Sequence, residues 1–124
     1  LEGYHDPFCR MPFPWDELEE PVRADLLAHY RALGALRAHP ALNRGGFLPV
    51  GHGADWLAFR RSAEHGYAGS GNAGDLLIAV SRSSEPVNLD VPQGAALLLA
   101  VGGVSLASGC LTLSPDSGCA VRLG

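Results

Sequence analysis

His39-Pro40-Ala41-Leu42-Asn43-Arg44-Gly45-Gly46-Phe47-Leu48-Pro49-Val50 is where the periodicity of the chain changes. Upstream of it, apolar residues recur every three or four positions; downstream they come in short runs separated by Gly, Pro, Asn, Asp and Ser. His39 precedes a proline and is therefore steered away from the α region, which stops a helix, and Asn43-Arg44-Gly45-Gly46 is a turn signal. The boundary falls there, with residues 1–45 on one side and 46–124 on the other.

Working back from the boundary, the spacing predicts a helix over 22–38. Val22, Leu26, Tyr30, Leu33 and Leu36 form a stripe roughly 120° wide. Ala24, Ala28, Ala32 and Ala35 line a second flank, small enough for another element to approach closely. Gly34 costs about 1 kcal/mol relative to alanine unless close packing offsets it. Pro21 suits the first helical position, and Asp16 with Glu19 resembles a capping box that starts a short turn before it. A helix with a large apolar stripe and a small-residue flank needs more partners than one short sandwich supplies, so the sequence implies a missing neighbour.

Working forward, Phe47–Val50, Trp56–Arg60, Leu76–Ser81, Val87–Val91, Ala96–Val101, Leu111–Leu113 and Ala120–Leu123 read as strands of an all-β sandwich or Greek-key unit. Leu76-Leu77-Ile78-Ala79-Val80 does not alternate and should be central, whereas Val87-Asn88-Leu89-Asp90-Val91 alternates and should have one wet face. Residues 64–74 are too glycine-rich for a strand and read as a mobile hairpin loop. Pro115-Asp116-Ser117-Gly118 reads as a turn, and a hairpin of the last two runs around it would leave Cys110 and Cys119 not opposite one another. Trp56 is expected mid-strand, packed in the core.

At the start lies Tyr4-His5-Asp6-Pro7-Phe8-Cys9-Arg10-Met11-Pro12-Phe13-Pro14-Trp15. Three prolines exclude a regular helix and give a stiff loop that can fix Asp6 and Arg10 in place. A carboxylate and a guanidinium together offer acceptors and a planar donor fork, which suits polyhydroxyl or carboxylate ligands. The same pair also serves as a simple loop-tying ion pair, and spacing alone does not separate the two readings.

Composition narrows the classes. A chain of 124 residues is one domain, or one domain and a piece of another, and 47% apolar content is that of a folded protein. Net charge is −4, and the nine basic residues, all arginine, are scattered, so there is no nucleic-acid footprint. Apolar runs such as Ala95–Val101 are far shorter than the roughly 20 residues of a membrane span. Cys9, Cys110 and Cys119 lack zinc-site spacing, and free thiols in a reducing compartment are expected, hence a cytoplasmic protein. The five histidines form no metal-type cluster, so capping or exposed roles are expected and no metal ligand is assigned. Residues 69–74 lack the lysine and following helix of a phosphate loop. Ser105, Ser108 and Ser114 have no neighbouring His/Asp motif. The opening Leu1-Glu2-Gly3-Tyr4, without an initiator methionine, leads us to expect a piece of a longer chain.

Gly3-Tyr4-His5-Asp6-Pro7-Phe8-Cys9-Arg10 followed by Pro12-Phe13-Pro14-Trp15-Asp16 resembles the Asp-Pro-x-x-Arg … Pro-x-x-Trp segment of the α-amylase family, glycoside hydrolase family thirteen. In that family the segment follows the eighth barrel strand. His29 to Leu42 resembles the family's final barrel helix, with its Tyr-Arg-x-Leu-x-x-Leu-Arg-x-x-His-Pro-Ala-Leu run. Residues 46–124 are similar, in length and strand pattern, to the antiparallel sandwich that follows the barrel. Gly34 stands where a larger apolar residue is usual, and Ser81 where asparagine is common.

The resemblance implies a mixed fold: the last loop and helix of a (β/α)8 TIM barrel in 1–45, then an all-β antiparallel Greek-key sandwich in 46–124. It implies part of a retaining enzyme acting on α-glucosidic bonds in maltooligosaccharides or related α-glucans, of neopullulanase, cyclomaltodextrinase or α-glucosidase type. Asp6 and Arg10 correspond to residues that contact glucose units on the non-reducing side of the scissile bond; Tyr4 and His5 would line that pocket. The two catalytic carboxylates, about 5–5.5 Å apart in such enzymes, sit on earlier strands. The chain alone is therefore expected to be inactive, and Asp6 is not one of them. No cofactor is implied. The partners implied are the sugar substrate and the N-terminal barrel of the same chain, with no nucleic acid or membrane; a homodimer stays open. The rival expectations are a stand-alone non-catalytic sandwich that binds carbohydrate or protein, using Trp56, Phe59 or Tyr67, and a purely structural cap with exposed apolar surface.

Overall fold

Strands and turns make up the described chain beyond Gly45, and helices the part before it. The computed structural model describes residue 12 and residues 15–62 and 74–124. The chain divides into two compact units, 1–32 and 33–124.

A 3₁₀ turn over Trp15–Glu19 leads into helix α1, Pro21–Arg37, with Pro21 in the first helical position as its fixed φ and missing N–H allow. The Glu20 carbonyl accepts from the Arg23 and Ala24 amides at 2.9 and 2.8 Å, and the Arg23 side chain pairs with Glu17 and Glu20. No residue of α1 is buried.

A second helix, α2 (Pro40–Arg44), begins immediately after His39 and takes in Asn43 and Arg44, which were expected in a turn. His39 is its N-cap: its Nδ1 accepts from the Ala41 amide at 3.2 Å. The helix ends at Gly45, whose N–H donates to the Ala41 carbonyl at 3.1 Å. A Cβ on Gly45 would lie 2.2 Å from that carbonyl and 2.5 Å from the Ser62 carbonyl, so only glycine fits this crossing.

Eight strands follow: β1 Gly46–His52, β2 Trp56–Ser62, β3 Leu76–Ser81, β4 Val87–Asp90, β5 Ala96–Val101, β6 Val104–Ala107, β7 Cys110–Leu113 and β8 Ser117–Arg122. They form a five-stranded sheet ordered β1-β2-β3-β8-β5 and a three-stranded sheet ordered β4-β7-β6, with every pairing antiparallel. The non-sequential neighbours β3–β8 and β8–β5 are the wiring of a Greek-key unit. The non-alternating β3 is central, as its composition requires, and β4 alternates half-buried Val87 and Leu89 with exposed Asn88 and Asp90.

The two sheets share one apolar core. Ala58, Leu77, Ala79, Cys119 and Val121 come from the larger sheet and Leu111 and Leu113 from the smaller, with Val87, Leu89, Val104 and Leu106 packed against them. Both edge strands of the larger sheet are bulged, β1 between Pro49 and Gly51 and β5 between Leu97 and Leu99. Pro49 is tolerated because its missing N–H lies on an edge strand.

Two sequence expectations are corrected. The runs expected as a final hairpin do not pair: β7 lies in the smaller sheet and β8 in the larger, and the chain crosses between sheets at Pro115-Asp116, where Asp116 has φ 50°. Strand β8 also starts at Ser117 and not at Ala120. Ser117 and Gly118 read as turn residues, yet both lie in the sheet, where a Cβ at Gly118 would stand 3.2 Å from Val80 Cγ1. The strand missed in the sequence is β6. It forms a two-residue hairpin with β7 through Ser108 and Gly109, both at positive φ (51° and 79°). That is the twist-matched turn such hairpins favour.

Candidate functional site

The residues with the strongest family signal, Asp6 and Arg10, lie outside the described residues, as do Tyr4, His5 and Cys9 and all of the 64–74 loop except Gly74. The described residues present three other features of chemical interest.

First, consecutive arginines on β2 point to opposite sides of the sheet and tie it in two directions. Arg60 donates through Nε to Asp75 Oδ2 at 2.5 Å, with Nη2 on the same oxygen. Arg61 donates to the Ala41 and Leu42 carbonyls at 3.1 and 3.4 Å. The Ala41 carbonyl thus accepts from Arg61 as well as from the Gly45 amide, and the guanidinium reaches the Leu42 carbonyl beside it.

Second, a cavity of about 370 Å³ opens beside the β1–β2 turn and the end of β3, lined among others by His52, Asp55, Trp56, Ser81 and Arg82. Trp56 is the first residue of β2, not mid-strand as expected, and it is half-buried between the core and this cavity. Its indole lies along the turn: a Cβ at Gly51 would be 2.9 Å from Cη2, and one at Gly53 2.3 Å from Nε1. The Gly53 amide donates to the Trp56 carbonyl at 2.9 Å, and the Arg82 amide to the Asp55 carbonyl at 2.7 Å, so backbone bonds join both sides of the opening. No hydrogen bond or ion pair to another described residue engages the side chains of His52, Asp55, Trp56 or Arg82. Glycine spacing ahead of a tryptophan, Gly51-x-Gly53-x-x-Trp56, was the sequence signal for this seat.

Third, apolar surface is uncovered. The α1 stripe is exposed at Val22 (81%), Leu26 (56%) and Tyr30 (64%). On the face of the larger sheet opposite the core, Phe47, Leu57, Val80 and Val101 are each more than 40% exposed, and Phe47 stacks on Phe59 with centroids 5.0 Å apart.

Cys110 and Cys119 are free and sit in different sheets. Burial pushes the Cys119 thiol up to about 11, against a smaller downward pull from a hydrogen bond to the Ala79 backbone. Among the described residues no three His, Cys, Asp or Glu side chains converge as a metal site, and no helix is long and apolar enough to cross a membrane.

No protein-family model and no curated protein matches the sequence. Solved structures do match the fold. Trehalulose synthase MutB from Pseudomonas mesoacidophila MX-45 aligns over 77% of this chain at 22% identity and TM-score 0.59, covering 17% of the longer chain. A variant of MutB in complex with Tris aligns over 82% at 21% identity and TM-score 0.60, covering 20%. A family GH13_31 enzyme aligns over 75% at 24% identity and TM-score 0.58, covering 15%. The chain thus spans at most about a fifth of the length of these structures. Its architecture, a small antiparallel sheet-rich domain with few helices, is that of the C-terminal region of glycoside hydrolase family thirteen enzymes.

Proposed function

We propose that the chain is the C-terminal portion of a retaining, α-glucan-active glycoside hydrolase of the α-amylase family, contributing sugar-positioning residues and a stabilising sandwich to a longer enzyme. The observation that carries this reading is the coincidence of two independent likenesses. The 3–42 stretch carries the family's loop and helix pattern, and the fold of the chain aligns with a fifth or less of family thirteen enzymes. The exposed apolar stripe of α1 supports it, since an outer helix of a (β/α)8 barrel packs such a stripe on the sheet inside it. The uncovered face of the larger sheet supports a sandwich that caps the rest of the enzyme.

On this reading Asp6 and Arg10 hold glucose hydroxyls on the non-reducing side of the scissile bond, the carboxylate accepting and the guanidinium donating. Bond cleavage belongs to two carboxyl groups elsewhere in the enzyme, and the 124-residue chain has no hydrolytic activity of its own. The test is Asp6→Ala in the complete enzyme. Loss of charge-assisted sugar hydrogen bonds lowers kcat/KM on maltooligosaccharides by at least about 1–2 kcal/mol in transition-state stabilisation. Unchanged kinetics would remove the assignment.

A further inference from the structure

We propose that the cavity beside the β1–β2 turn is a carbohydrate-binding site that takes a short neutral oligosaccharide. Its lining carries the inference, which does not depend on the α-glucan reading. At about 370 Å³ the opening is near the lower end of the range for small-molecule pockets, the size of one or two sugar rings. Trp56 supplies an aromatic side chain to the lining, its indole running close along Gly51 and Gly53. Pyranose rings present an apolar C–H face to an aromatic ring and hydroxyls around the edge.

The polar groups match those hydroxyls. Asp55 provides acceptors, Arg82 a donor fork, and His52 one ring nitrogen of each kind. None of them is engaged by another described residue, so each is available to a ligand. The fixed charges of Asp55 and Arg82 cancel, which disfavours a strongly anionic ligand such as a phosphate and a strongly cationic one alike. The Arg82 amide bonded to the Asp55 carbonyl holds the two rim segments together before a ligand arrives. The backbone of the rim is thereby ordered in advance, and binding has the side chains of His52, Asp55 and Arg82 left to order.

Tryptophan fluorescence tests this on the 124-residue chain. The chain has two tryptophans, and Trp15→Phe leaves Trp56 as the reporter. Titration with maltotriose and, separately, cellotriose should give a saturable change in Trp56 emission with Kd on the order of 1 mM for at least one of them. Response to maltotriose alone marks an α-linked ligand, to cellotriose alone a β-linked one. Asp55→Ala and Arg82→Ala change exposed side chains and leave the thermal midpoint in place, while each weakens binding about tenfold. No saturable response to either sugar at about a hundred times that concentration, or affinities untouched by both substitutions, overturns the proposal. Neither result bears on the Asp6 kinetics, so failure here and failure of the enzyme reading are told apart.

Discussion

Arg60 and Asp75 join β2 to the start of β3 through two donors on one carboxylate oxygen, Nε at 2.5 Å and Nη2 beside it. The Asp75 carbonyl meanwhile accepts from the Leu123 amide at 2.8 Å, so this one residue links β2, β3 and the exit of β8. The Asp75 side chain is 10% exposed and that of Arg60 44%, so water screens the pair from one side only. Arg60→Met should cost about 1–2 kcal/mol, between the worth of an exposed pair and that of a buried one. Urea unfolding of the single and double variants with Asp75→Asn checks it. A coupling energy near zero would show that the two side chains act independently.

Arg61 does different work. Its bonds to the Ala41 and Leu42 carbonyls fasten α2 to β2. Arg61→Ala should therefore raise amide exchange at Gly45, whose N–H closes the helix, while the β3 and β8 amides keep their protection. A stability loss of about 1 kcal/mol accompanies it.

Gly34 sits inside α1 with nothing within 4 Å of where a Cβ would stand. In the 124-residue chain Gly34→Ala should raise helicity by far-ultraviolet circular dichroism and stabilise α1 by about 0.5–1 kcal/mol. The same change in the complete enzyme should lose stability if a neighbouring element packs against Gly34 there, which makes the substitution a probe of the implied partner.

Cys119 gives a pH dependence whose sign follows from burial. Its thiol titrates near 9.0 when unfolded and at about 11 in the fold. Below about 9 both states are protonated and the stabilising contribution is intact; as pH rises towards 11 the unfolded chain loses the proton first and stability falls. The decline is on the order of 2 kcal/mol and should disappear from urea titrations of Cys119→Ala. At pH 8, mass spectrometry after alkylation should find the half-buried Cys110 modified before Cys119.

How much of this was legible depended on whether a residue's local signal agreed with its place in the fold. Helix α1 and the central β3 were readable because periodicity and composition point the same way, and Pro21 and His39 mark their positions by chemistry that acts within a few residues. Strand β8 starts earlier than propensity suggests because Gly118, a turn former, stands beside Val80 in the sheet, a non-local demand that propensity does not carry. Strand β6 carries only a short local signal, four alternating residues Val104-Ser105-Leu106-Ala107 before the Ser108-Gly109 hairpin turn, and its place comes from pairing with β7. For the site, the family pattern drew attention to Asp6 and Arg10. The cavity at Trp56 depends on Arg82 meeting Asp55 across 27 positions of sequence, a proximity that only the fold creates.

Strand β8 lies between β3 and β5, so an interior place in the larger sheet is filled by the last of the described strands to leave the ribosome. Until residue 122 emerges, β3 presents an open ladder along its inner edge and β5 has no partner in that sheet. The nascent sandwich must wait in a form that exposes strand edges, and closing it requires contacts between residues far apart in sequence, the slow kind. Truncation within 117–122 should thus do more than shorten the protein. It should leave the three-stranded β1-β2-β3 sheet with an open edge on β3, and β5 without a partner, both able to pair with strands of other chains.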